Sequence, residues 1–214
     1  MKKILLIGLV VLMAVIMSGC ASYNTIGAVP MLDRIEKEKL IKVEKEGVII
    51  TAFPITNKSD SKKYFDEDIF DENIINRRVL AVYIHVSNGT ANNVKVVSLS
   101  MNQKEKVVMP MAAEEMYKVL RREYFIKAFL WMFPTYFIGA PVSVVHTAFV
   151  NNGIEEDIKE KQIQLGKEIK PGQALQGFVW FRINDFSERI VLKLILEQDK
   201  NMIIEHNLSL SIIM

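Results

Sequence analysis

The chain has a single cysteine, Cys20, and it follows Met17, Ser18 and Gly19. The small Ser18 and Gly19 suit the narrow pocket of a signal peptidase, Met17 stands where Leu is usual, and the thiol behind them can accept a diacylglyceryl group. The residues ahead complete such a signal: Lys2 and Lys3 form a basic start, and residues 4–16 are an apolar run. That run is short for a transmembrane helix, and its flanks are those of a cleaved export signal. The sequence therefore predicts a lipoprotein signal peptide over residues 1–19. It also predicts a mature chain held to the membrane through diacylglycerol and palmitate-type acyl chains on Cys20. The expected location is the cell envelope. Ala21 after the cysteine suits the periplasmic face of the outer membrane in a Gram-negative cell, or the outer face of the plasma membrane in a Gram-positive one.

Other chemistry is sparse. The three histidines, His85, His146 and His206, lie far apart, in none of the spacings that place two imidazoles on one metal. No phosphate-binding glycine loop or nucleophile elbow is present. Asp66, Glu67, Asp68, Asp71 and Glu72 could offer oxygen ligands to calcium, but without the glycine and closing glutamate of an EF-hand loop; a solvated acidic loop is the expectation. Glu155, Glu156 and Asp157 are adjacent on one helix and do not form the facing carboxylate pair that glycoside hydrolysis needs. No catalytic residue, metal or cofactor is expected.

The charge balance excludes another class. Removing Lys2 and Lys3 from the 27 basic residues leaves as many as the 25 acidic ones, so the mature chain lacks the basic field that nucleic acid requires. Without Cys20 there is no thiol left for a disulfide, and the fold must rest on an apolar core.

Residues 20–45 read as a tether, rich in charge at 33–39, ahead of one domain over 46–214. Residues 47–53 are β-branched and predict a strand that ends at Pro54. Residues 57–76 are a polar loop with one helical turn. In the strand 79–86, Leu80, Val82, Ile84 and Val86 face one way and Ala81, Tyr83 and His85 the other. Strands follow at 94–101 and 105–109, with a turn signal at 87–90. After an insertion at about 112–166, strands return at 175–183, 190–197 and 203–213. In the last two, Ile190, Leu192, Leu194 and Leu196, then Ile204, Leu208, Leu210 and Ile212, point inward. This spacing predicts an antiparallel sandwich or barrel.

The insertion begins with a helix over 112–123. Residues 125–150 are then apolar but for Lys127 and His146, and Pro134, Gly139 and Pro141 interrupt them. A full transmembrane span would put the early and late strands on opposite sides of a bilayer. A helical hairpin, with two arms over 124–147 turning between Pro134 and Pro141, returns the chain to one side. Trp131, Phe133, Tyr136 and Phe137 crowd its tip, the residue types of a membrane interface or a partner contact. Asn151-Asn152-Gly153 should break the chain. Asn152 with Glu155 should then cap a helix carrying the pairs Glu155–Lys159 and Asp157–Lys161.

Two stretches resemble a group of bacterial envelope lipoproteins with an immunoglobulin-like, telokin-like β-sandwich. One is Val82-Tyr83-Ile84-His85-Val86-Ser87-Asn88-Gly89-Thr90, a strand ending in Asn and a small turn. The other is Ile169-Lys170-Pro171-Gly172 followed by Gly177-Phe178-Val179-Trp180-Phe181. The resemblance covers about 47–103 and 169–212, leaves out the insertion, and brings no catalytic residues. The resulting expectation is a mainly β, immunoglobulin-like sandwich with an inserted apolar α-helical hairpin, preceded by a lipoprotein signal peptide. Its expected role is non-enzymatic binding, assembly or scaffolding at the membrane, with an envelope protein or lipid as partner and no nucleic acid. A lipid or hydrophobic-ligand handler, or a hydrolase of envelope polymers, are the alternatives.

Overall fold

The computed structural model describes residues 35, 37–65, 77–104, 106–121, 139–183, 189–198 and 202–211. Cys20, the acidic run 66–72 and the tip residues Trp131, Phe133, Tyr136 and Phe137 lie outside them.

The described strands form two antiparallel sheets. The first contains β1 (Ile41–Lys45), β2 (Val48–Ile55), β3 (Val79–Asn88) and β7 (Ala174–Arg182), in that order across the sheet. The second has the order β5 (Lys106–Val108), β4 (Val94–Gln103), β8 (Arg189–Gln198) and β9 (Met202–Ser211); β6 (Glu168–Ile169) also pairs with β4. The turn after β3 therefore leads from one sheet to the other. Alternation builds the core between them. Ile50, Val82, Ile84 and Phe181 of the first sheet meet Leu99, Met101, Leu192, Leu194 and Leu208 of the second, all buried.

β1 lies in residues read from sequence as tether. It pairs with β2 from Ile41↔Ala52 to Lys45↔Val48. Glu46 and Gly47 join them with φ of 52° and 77°, the left-handed pair of a type I′ hairpin turn, which glycine adopts at no steric cost. Pro54 does not end β2 but pairs opposite Val82. It stands beyond Ala52, where β1 stops, so its missing N–H removes no bond to that neighbour.

β3 is buried on both faces. Leu80, Val82, Ile84 and Val86 face the second sheet, while Ala81 and Tyr83 face outward and are also buried. The outer face is covered by helices α1 (Lys58–Tyr64), α2 (Ala113–Leu120) and α3 (Gly139–Lys161). Their Tyr64, Met116, Leu120, Ile154 and Ile158 pack with Phe53, Ile55, Tyr83, Phe178 and Trp180 in a second core. The molecule thus has three layers: helices, first sheet, second sheet.

The break expected at Asn151-Asn152-Gly153 does not occur, and Asn152 caps nothing. α3 starts at Gly139 and runs through these residues. Pro141 falls in its first turn, where backbone N–H groups lack intrahelical acceptors anyway. Asn151, Ile154, Asp157, Ile158 and Lys161 recur at helical spacing and are all buried; packing of that stripe outweighs the poor helix propensity of Asn and Gly.

Asn88, fully buried, ties one end of the sandwich together. Its amide donates to the carbonyls of Asn92 (2.8 Å) and Ile169 (2.7 Å), and its side-chain oxygen accepts from Thr90 N–H and Oγ1 (2.9 and 2.7 Å). Its backbone exchanges bonds with Gln173 and Gly172, and Gly89 N–H donates to Gly47. The two stretches that carry the family resemblance meet here in space.

Candidate functional site

The helical layer is the part of the described molecule that carries something beyond a sandwich. Each helix is placed by local chemistry. Asn57 caps α1: its side-chain oxygen accepts from Asp60 N–H at 2.8 Å, and its amide donates to the Asp60 carboxylate at 2.7 Å. Lys39 adds an ion pair to Asp60 at 2.9 Å. At the start of α2, Glu115 accepts from the Ala112 N–H at 3.2 Å; alanine itself has no side chain to return the bond. Arg77, just before β3, donates to the carbonyl of Val119 at the other end of α2.

The insertion is clipped to β7 at both ends. Met111 N–H donates to Trp180 O at 2.7 Å, and Ile163 N–H donates to Phe178 O at 3.0 Å. A Cβ on Gly177 would sit 2.6 Å from the Ile163 nitrogen. Only glycine lets the chain pass so close, which accounts for the small residue ahead of the aromatic pair. Phe178 and Trp180 face the helices, whereas Phe181 faces the second sheet; all three are fully buried.

The two legs α2 and α3 run antiparallel. Glu155 holds Lys159 charged through a 2.6 Å ion pair, and Glu114 from the first turn of α2 adds to it. The start of α2 therefore lies beside the end of α3. Ionisable residues of α3 gather at that end: from Glu155 onward they are Glu155, Glu156, Asp157, Lys159, Glu160 and Lys161, while His146 alone lies before them. The His146 side chain is outside the described residues.

The pair Asp157–Lys161 is where the expected helical spacing has its largest consequence. The ion pair is 2.7 Å long, with side-chain exposures of 4% and 2%. Lys161 also donates to the carbonyl of Tyr64 at 2.9 Å and lies 5.2 Å from the centre of the Phe65 ring. The end of α3 is thereby fixed to the end of α1. Its ammonium is closed in by acceptors and a ring, so it serves as a clamp rather than a nucleophile. Glu155 points to Lys159 and Asp157 to Lys161, so these two neighbouring carboxylates do not act on one substrate.

The histidines are not brought together. His85 is on the outward side of β3, half-buried, and His206 on β9 faces the core between the sheets. Among the described residues no group of three or more His, Cys, Asp or Glu side chains could hold a metal ion. Both ring nitrogens of His206 are buried without a hydrogen-bond partner, as is Nδ1 of His85. Burial pushes His206 below its usual range, the Lys45 ammonium adds to this and Glu46 opposes it. Burial does the same to His85, against its own backbone bond.

A sign follows for stability. The unfolded chain takes up protons on these histidines near pH ~6.5, where the folded chain resists them. Their contribution is whole above that value and is lost as pH falls through and below it. Thermal unfolding at a series of pH values should show a falling midpoint on acidification, with a smaller slope in His206→Leu. An unchanged slope in that variant would assign the effect to other groups.

No protein-family model and no curated protein matches this chain. Among solved structures the chain is similar to the crystal structure of a DUF4426 family protein from Pseudomonas aeruginosa PAO1, at 6% identity and a TM-score of 0.36, covering 82% of this chain and 96% of that one.

Proposed function

We propose that the protein is a lipid-anchored envelope lipoprotein. Its immunoglobulin-like sandwich would act as a non-enzymatic binding or scaffolding module, presenting an apolar insertion to the membrane or to a membrane-bound partner. The observation that carries this reading is the placement of the insertion. Its legs α2 and α3 pack in one layer over the first sheet, so the apolar residues between them leave and return on the same side. None of the helices among the described residues is long and apolar enough to cross a membrane. The lipobox at Cys20 supplies the nearby bilayer.

Strand order supports the immunoglobulin-like part. β2, β3 and β7 follow one another as strands A, B and E do, and β4, β8 and β9 as C, F and G, with β5 beside β4 in the place of C′. β1 is an added edge, and Trp180 sits on the helix-covered side of the E-like strand instead of between the sheets.

Two measurements test the reading. Cys20→Ala should abolish fatty-acid labelling and weaken membrane association to what the insertion alone provides, since each buried CH₂ of an acyl chain contributes about 0.8 kcal/mol. A soluble form made with a conventional cleavable signal should bind liposomes, and Trp131→Ser with Phe137→Ser should weaken that binding. Equal binding by the two forms, with the insertion resistant to protease in lipid-free solution, would show that the insertion packs on its own domain.

A further inference from the structure

The strand registers fix which end of the sandwich the N-terminal segment and the insertion share. β1 is antiparallel to β2, so its first residue, Ile41, lies opposite Ala52 near the end of β2. Ile35, just ahead, is buried in the helical layer with Phe53 and Ile55. The end of β2 is also the start of β3 and the end of β7, through Ile55↔Ala81 and Val79↔Arg182. Arg77 at this end holds the carbonyl of Val119, so α2 finishes here and hands the chain to residues 122–138. In the second sheet, β4 starts beside Ile169, at the Asn88 knot, and its far end turns into β5. One end of the sandwich thus receives the chain from Cys20 and sends out the insertion. The other end is the Asn88 knot.

We propose that a lipid bilayer lies against the first of these ends, the end of Ile35, Arg77, Val119 and Arg182, and that the Asn88 knot points away from it. The proposal rests on the lipid-anchor reading above and adds an orientation to it. The segment between Cys20 and Ile35 could by itself extend about 50 Å, at roughly 3.3–3.6 Å per residue. That exceeds the ~33 Å length of a ten-residue strand, so a tether alone would let the domain tumble. A second membrane contact leaving from the same end removes that freedom. The outer face of the second sheet fits exposure to water: the ion pairs Lys95–Glu197 (2.8 Å) and Lys193–Glu205 (2.9 Å) cross it.

The test uses the full, lipidated chain in vesicles of phosphatidylethanolamine and phosphatidylglycerol carrying an acceptor dye on the headgroups. Acylation blocks Cys20, so one introduced cysteine takes the donor dye alone. Lys106→Cys labels the β4–β5 end and Lys170→Cys the Asn88 end, both at exposed positions. Energy transfer should be roughly threefold stronger from position 106 across the ~33 Å between them. Equal or reversed transfer in vesicle-bound protein overturns the orientation and leaves the anchor standing. Protein that fails to float with vesicles, with an unmodified N-terminal mass, overturns the anchor and the orientation together.

Discussion

Asp157→Ala should lower the unfolding free energy by about 3–5 kcal/mol, because it strands the Lys161 ammonium in a site that is 2% exposed. The cost does not measure the worth of the ion pair. It measures a buried charge left with one carbonyl, that of Tyr64, as its remaining hydrogen-bond acceptor. The double replacement Asp157→Leu with Lys161→Met removes both charges and should recover most of the loss, since apolar residues of similar volume commonly match a buried pair. Urea unfolding of the three proteins decides the matter. A single variant within about 1 kcal/mol of the parent would mean that the pair behaves as a solvated surface bridge. The helical layer would then be looser than its packing indicates.

Trp180→Ala should cost a similar amount, about 3–5 kcal/mol. Trp180 is fully buried on β7, between the first sheet and the helices, in one cluster with Phe53, Ile55, Met116 and Ile158. Truncation leaves a cavity in a cluster drawn from three helices and three strands, and such a cluster does not close by moving one side chain. Its indole nitrogen is buried without a hydrogen-bond partner, so part of the lost packing is offset by removing an unsatisfied donor. Val107→Ala is the control: Val107 is 66% exposed and its loss should stay within about 0.5 kcal/mol. Equal unfolding midpoints for the two variants would remove Trp180 from the core.

Much of this architecture was legible in the sequence because strands announce themselves by parity. The inward sets of β8 and β9 were readable from Ile190, Leu192, Leu194 and Leu196, then Ile204, Leu208 and Leu210, which fall on one parity and are all buried; Ile212 lies outside the described residues. His206 was left out of the inward set, yet the structure buries it on that side between Ile204 and Leu208, because position along the strand outweighs residue type. β1 was missed because an edge strand needs little apolar surface. Ile41 and Val43 are its only apolar residues, and its turn uses Glu-Gly instead of the Asn-Gly or Asp-Gly that signals a hairpin most strongly. The length of α3 was hidden by Asn151, Asn152 and Gly153, whose local preference against helix is overridden by a buried stripe that forms only when the sheet is present. The spacing of Asp157 and Lys161 was visible, but their burial depends on α1, far away in sequence. The lipid anchor proposed at Cys20 rests on its local pattern alone.

The two clips that hold the insertion to β7 bear on how mechanical load would travel. Pro110 and Gln162 bridge to Phe181 and Phe178, and the bonds from Met111 and Ile163 end on Trp180 and Phe178 of the same strand. The backbone clips of both legs therefore meet on one short stretch of one strand, with the Arg77–Val119 and Lys161–Tyr64 bonds as further holds on a pull. β3 stands between that stretch and the rest of the first sheet, and the Asn88 knot is at the opposite end. The insertion is mounted like a fitting with both bolts in one beam, and those backbone bonds end in the first sheet. The same clips also occupy backbone positions along an edge that would otherwise be free to recruit another strand.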